Sequence, residues 1–290
     1  MISFDNIAIM GSRKKAQQIA ETVSSSGIEV LLFNVKEESG QRALKGIEES
    51  IDRAIKRWGM TESDKRAILG RITTTNKVED LAGQTVFIEA CGTDMEKKRH
   101  WLGEVGRCCK KPELYITHIS TLSVTEIAAD SSLEKKVIGM HFLEPVPKIP
   151  VVELVRAVHT DDETVENARE FAKRLGKTSV EVFEYPGYIT TRIVLPMLNE
   201  AIYILQEGLA TAEDIDTAIK LGFNLPMGPL RMADTFGLDE IQRRMDNMFH
   251  ELGELKYRPC PLLKKMVRAG KLGRKSGEGF FKYDTKDEYA

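Results

Sequence analysis

Up to Tyr185, the hydrophobic pattern alternates between short apolar runs and stretches of helical period. Residues 6–10 form an apolar run closed by Gly11, and residues 14–26 then carry Ala16, Ile19, Ala20 and Val23 at helical spacing. Gly27 is placed to end that helix, and residues 28–34 (IEVLLFN) read as a second strand. Helices are expected over residues 41–58, 62–69, 95–109 and 162–175, and further strands over 85–90, 114–117, 137–141, 151–159 and 180–183. Strands alternating with helices predict a doubly wound, mostly parallel sheet of the Rossmann-like α/β class. The turn signal Tyr185-Pro186-Gly187 ends this regime. Beyond it, residues 189–207, 211–221, 228–236, 238–252 and 260–270 show helical periodicity only, with Thr211 as an N-cap. The expected organisation is an α/β dinucleotide-binding domain over residues 1–184 and an all-α substrate and dimerisation domain over residues 185–290.

Composition narrows the function classes. With 42 Lys and Arg against 44 Asp and Glu, the 290-residue chain has no basic excess for binding nucleic acid. No apolar run reaches the roughly 18 residues of a membrane span, and the N-terminus lacks the pattern of a signal peptide. Four cysteines without a Cys-x-x-Cys pair argue against a zinc site and for a reducing, cytoplasmic setting; no metal is expected.

The first strand–turn–helix is where a dinucleotide fold cradles a pyrophosphate, using glycines spaced G-x-G-x-x-G/A and a helix N-terminus. Here the stretch reads Gly11-Ser12-Arg13-Lys14-Lys15-Ala16. Gly11 and Ala16 fit the first and third positions, and Arg13 replaces the second glycine. The acid that usually holds the adenosine ribose falls at Asn34, which can bond a hydroxyl without repelling a 2′-phosphate. With Arg13, Lys14 and Lys36 nearby, the turn is consistent with NAD, with NADP as an alternative, or with a site that Arg13 blocks.

A run of motifs extends the picture. His118-Ile119-Ser120-Thr121-Leu122-Ser123 is followed by Gly139-Met140-His141-Phe142-Leu143-Glu144-Pro145-Val146-Pro147, then Glu153-Leu154. Pro186-Gly187-Tyr188-Ile189, Pro226-Met227-Gly228-Pro229 and the stretch from Leu272 to Phe280 (LGRKSGEGF) complete the series. In this order, over nearly the whole chain, they resemble the short-chain L-3-hydroxyacyl-CoA dehydrogenases, including the 3-hydroxybutyryl-CoA dehydrogenases. The resemblance implies His141 as general base, Glu153 as its orienting carboxylate, and Ser120 as a donor to the substrate oxygen. It places Lys98 and Thr93 at the cofactor cleft, and Ser50 and Arg57 against the coenzyme A moiety. It also implies an acyl-CoA substrate, a cleft between the domains and a homodimer. Ser120 has a second reading, as the cap of a helix starting near Leu122. His100, His159 and His250 match no motif.

The departures cluster in the expected cleft. Three asparagines of the family pattern are His118, Glu144 and Thr191 here, and a family glutamate is Thr93. Thr191 retains one hydroxyl donor, and Glu144 either faces the His141 base or meets a positive group on the substrate. Two readings therefore stay open: a 3-hydroxyacyl-CoA dehydrogenase with a rebuilt substrate shell, or a non-catalytic homologue that binds acyl-CoA or serves as a subunit of a heteromer.

Overall fold

A computed structural model describes residues 2–57 and 59–283. The chain divides into two compact units, Met1–Tyr185 and Pro186–Ala290. In the first, β1 (Asn6–Met10) leads through α1 (Lys14–Ser25) to β2 (Glu29–Phe33). A helical arm, α2 (Glu37–Lys56) and α3 (Glu62–Gly70), precedes β3 (Ile72–Thr75). Then come β4 (Val86–Glu89), α4 (Met95–Cys108), β5 (Leu114–His118), α5 (Val124–Ala128), β6 (Val137–Phe142), β7 (Val151–Arg156), α6 (Asp162–Arg174) and β8 (Thr178–Phe183).

These strands form one sheet in the order β3-β2-β1-β4-β5-β6-β7-β8. All neighbours are parallel except β6 and β7. The mostly parallel, doubly wound class read from the sequence is what the sheet shows. The β6–β7 reversal follows from the link of residues 143–150, too short for the crossover that a parallel pair requires. The core is formed by the apolar residues of β1, β4 and β5, among them Ile7, Ile9, Ile88 and Ile116, with Ala16, Ile19 and Val23 of α1.

Three elements depart most from the sequence expectation. β3 was not foreseen: its Ile-Thr-Thr-Thr segment follows α3 with only Arg71 between, and only Ile72 of its residues is buried. β7 ends at Arg156 rather than at residue 159. α2 begins at Glu37, four residues earlier than expected, because Glu37 and Glu38 complement the positive end of the helix. Its expected end at residue 58 lies outside the described residues, as does the stretch 284–290 of the helical domain.

The second unit contains α7 (Thr190–Gln206), α8 (Ala212–Gly222), α9 (Pro229–Phe236), α10 (Leu238–Leu252) and α11 (Pro261–Arg268). Two buried aspartates fix its loops. Asp216 accepts from the backbone N–H groups of Leu230 and Arg231 at 2.7 and 3.0 Å, capping α9 from α8. Asp234 accepts from the N–H groups of Phe280 and Phe281, each at 3.0 Å, and from the Tyr283 hydroxyl at 2.9 Å. A β-carbon on Gly279 would fall inside the Asp234 carboxylate, which accounts for a glycine at that place in the C-terminal motif.

Candidate active site

The strand order reverses direction between β1 and β4, and the carboxyl ends of β1, β4, β5 and β6 bring the expected residues to one edge of the sheet. Open α/β sheets bind ligands at such an edge. Gly11 ends β1 with φ +134°, and its N–H bonds the Phe33 carbonyl at 3.1 Å. A β-carbon there would stand 2.8 Å from the Ala90 carbonyl oxygen and 3.1 Å from the Ala16 β-carbon. Gly11 and Ala16 thus allow α1 to start tight against the sheet. The first turn of α1 carries no acid, so its N-terminus is electropositive. Arg13, the extended N-cap residue, is exposed and holds its guanidinium 3.8 Å from where a Gly92 β-carbon would lie, over the loop that leaves β4. Asn34 follows β2 and is buried; its amide donates to the Leu32 carbonyl at 3.3 Å, and its Oδ1 accepts nothing among the described residues. A tight glycine turn, an acid-free helix start and an orphaned acceptor after β2 are what a dinucleotide would use, so the residues fit that cofactor.

The reversal of β7 decides the geometry of the next pair. His141 on β6 stands in register with Glu153 on β7, so their side chains project to the same face. His141 Nδ1 lies 2.6 Å from Glu153 Oε2, with both side chains almost wholly buried, at 3% and 2% exposure. A carboxylate only accepts, so Nδ1 carries the hydrogen and Nε2 is the basic nitrogen. His118, at the end of β5, stacks on His141 with ring centroids 6.2 Å apart and planes at 23°. Its Nδ1 lies 3.2 Å from the Met140 carbonyl. Burial, then the charges of Lys15, His141 and Lys98, hold the His118 pKa well below the usual imidazole range, so its ring is neutral near pH 7. Ser120, two residues beyond β5, is buried and makes no side-chain hydrogen bond among the described residues. It does not cap a helix: Ser123 does, accepting from the Glu126 N–H at 3.0 Å.

Other sequence-derived candidates are placed differently. Lys98 does not line an open cleft. It is 1% exposed, and its ammonium donates to Glu89 Oε2 at 2.6 Å, to the His118 carbonyl at 2.8 Å and to Thr117 Oγ1 at 3.3 Å, one acceptor for each hydrogen. Thr117 Oγ1 also donates to Glu89 Oε2, at 2.8 Å. Lys98 therefore supports the ends of β4 and β5 from beneath. Glu144 meets a cation of this chain, Lys15, at 2.7 Å. Thr93 is exposed in the loop after β4. On the α2–α3 arm, Ser50 donates to the buried Glu21 carboxyl, and Arg57 is the exposed C-cap residue of α2. Thr191 is buried in the first turn of α7, in the second unit. Lys15 and Glu89 were not among the sequence candidates. Glu89 had a signal, a lone carboxylate closing an apolar strand; Lys15 had none beyond its place in the glycine turn.

The comparisons with known proteins agree with this arrangement. Residues 6–185 match the family model of the 3-hydroxyacyl-CoA dehydrogenase NAD binding domain, and residues 187–283 match that of the 3-hydroxyacyl-CoA dehydrogenase C-terminal domain. The chain belongs to the 3-hydroxyacyl-CoA dehydrogenase family. It is 39% identical over 280 residues to a probable 3-hydroxybutyryl-CoA dehydrogenase of Bacillus subtilis, covering 97% of this chain and 98% of that one. It is 38% identical over 277 residues to the 3-hydroxybutyryl-CoA dehydrogenase of Bradyrhizobium diazoefficiens, covering 96% and 94%. The crystal structure of (S)-3-hydroxybutyryl-CoA dehydrogenase from Ralstonia eutropha superposes with a TM-score of 0.89 at 36% identity, covering 97% of this chain and all of that one. The family has an NAD-binding domain and oxidoreductase chemistry, and this member has the fold of that domain, with Gly11 and Ala16 in the turn after β1 and Arg13 between them.

Proposed function

We propose that this protein interconverts a short 3-hydroxyacyl-CoA and its 3-ketoacyl-CoA, with His141 as general base and acid and Glu153 as its orienting partner. The observation that carries the reading is the 2.6 Å contact between His141 Nδ1 and Glu153 Oε2 at the cofactor edge of the sheet. In the oxidation direction, His141 Nε2 takes the proton of the C3 hydroxyl; in reduction it returns it. Glu153 fixes the tautomer and stabilises the imidazolium while the proton is held. The Ser120 hydroxyl donates to the substrate oxygen and orients it toward His141. When bound, the nicotinamide supplies the hydride acceptor or donor. Gly11, the N-terminus of α1 and Arg13 hold the pyrophosphate, and Asn34 Oδ1 accepts from a ribose hydroxyl. Ser50 and Arg57 contact the coenzyme A moiety, and Thr191 contributes its hydroxyl to the substrate. The protein works as a homodimer in the cytoplasm; among the described residues no helix is long and apolar enough to cross a membrane.

Reduction of acetoacetyl-CoA by the purified protein, followed by nicotinamide absorbance with NADH and NADPH in parallel, tests the reading. Turnover with either supports it. A second reading, a non-catalytic homologue that binds acyl-CoA, draws on Arg13 standing where the turn calls for glycine. Acyl-CoA binding by calorimetry, with neither dinucleotide binding, would establish that reading instead.

A further inference from the structure

The edge that holds His141 carries a second charge pair which the proton transfer, as described, does not use. Lys15, in the first turn of α1, reaches the end of β6. Its ammonium donates to the Phe142 carbonyl at 3.1 Å and pairs with Glu144 Oε1 at 2.7 Å. Phe142 is the residue after His141, so the lysine charge sits at the backbone that follows the base. Lys15 is 16% exposed and Glu144 40%, so water screens the pair only in part. His118, stacked on His141, senses the Lys15 charge directly. The remaining charges nearby are balanced or engaged: Lys98 of α4 pairs with Glu89 of β4, and Glu153 of β7 holds His141 Nδ1.

We propose that Lys15 and Glu144 are paired positioning residues for proton transfer at His141. Glu144 cancels the charge that α1 brings beside the base, and the pair ties the end of β6 to the cofactor turn. This rests on the reading of His141 as the base. An ammonium left uncompensated there favours neutral imidazole and lowers the basicity of His141; a carboxylate left uncompensated favours imidazolium and raises it. The two single losses therefore act with opposite sign, which no purely structural role of the pair would produce.

The test is the pH dependence of kcat/KM for oxidation of 3-hydroxybutyryl-CoA, which requires neutral His141, together with NMR titration of the His141 ring in the enzyme without ligands. Glu144→Gln is expected to move the acid limb, and the titration midpoint, down by about one pH unit, and Lys15→Met to move both up by a similar amount. The double variant is expected to return to the wild-type position. Shifts of the same sign, unmoved limbs or a double variant displaced from the wild-type position would overturn the proposal. Lys15→Arg and Glu144→Asp keep the charges and must hold the wild-type limb, which preserves the test if a neutral variant fails to fold. His141→Gln separates the two claims: near-normal turnover in that variant removes the base assignment and this proposal with it. Lost turnover there, with limbs unmoved in the charge variants, removes this proposal alone.

Discussion

Lys98→Met should destabilise the first unit severely without touching a ligand. Lys98 and Glu89 are 1% and 0% exposed and 2.6 Å apart, so removing the ammonium leaves a carboxylate buried in the sheet without its counter-charge. Breaking a buried pair from one side costs about 3–5 kcal/mol, a large part of the roughly 5–15 kcal/mol that stabilises a domain. With a urea m-value of about 2–3 kcal/mol/M, the midpoint falls by roughly 1–2 M. Trp101, in the first unit, packs edge-on against Phe33 at 5.0 Å, so its fluorescence follows this unit. The double variant Lys98→Met/Glu89→Gln removes the stranded charge while keeping an acceptor for the Cys91 N–H, which now bonds Glu89 Oε1 at 2.6 Å. It should recover more than half of the loss. A midpoint for Lys98→Met within about 0.2 M of wild type, under 1 kcal/mol on the same slope, would refute the reasoning, as would a double variant no more stable than the single.

Three further outcomes follow. The His118 pKa is depressed in the folded state, so between that value and the unfolded value of about 6.5 the unfolded chain binds more protons, and stability is lost as pH falls through this window. His118→Asn should flatten the fall in urea midpoint below about pH 6.5, and an unchanged slope would count against the buried neutral ring. With Asn34 in place of a carboxylate just after β2, NADPH should bind at least comparably with NADH in a fluorescence titration; a strong NADH preference that survives Arg13→Gly and Asn34→Asp would contradict this. Gly279→Ala should cost the second unit about 2 kcal/mol or more, because the new methyl group must displace the Asp234 carboxylate from its backbone donors; calorimetry showing no change in its melting would oppose the clamp.

The parallel part of the sheet was legible because each strand is an apolar run between helices of clear period. β3 was not, since only Ile72 of its four residues is buried and three threonines after a helix carry no distinct period. The partnership of His141 and Glu153 was legible only through the family resemblance of the motifs around them; the contact itself depends on β7 turning back on β6. Contacts between residues far apart in the chain stayed hidden. Lys15 and Glu144 are 129 positions apart, and only the packing of α1 beside the end of β6 shows that this carboxylate has a partner within the chain. Lys98 misled for a related reason: the resemblance placed it at the cofactor cleft, and only the buried Glu89 beside it shows where its ammonium is engaged.

The most direct measurement is turnover of acetoacetyl-CoA by the wild type and by His141→Asn, with circular dichroism to confirm that the variant is folded. Loss of the general base and acid should lower kcat by at least about a hundredfold, with dinucleotide affinity unchanged because His141 does not hold the cofactor. A folded His141→Asn protein that turns over at near the wild-type rate would contradict the account.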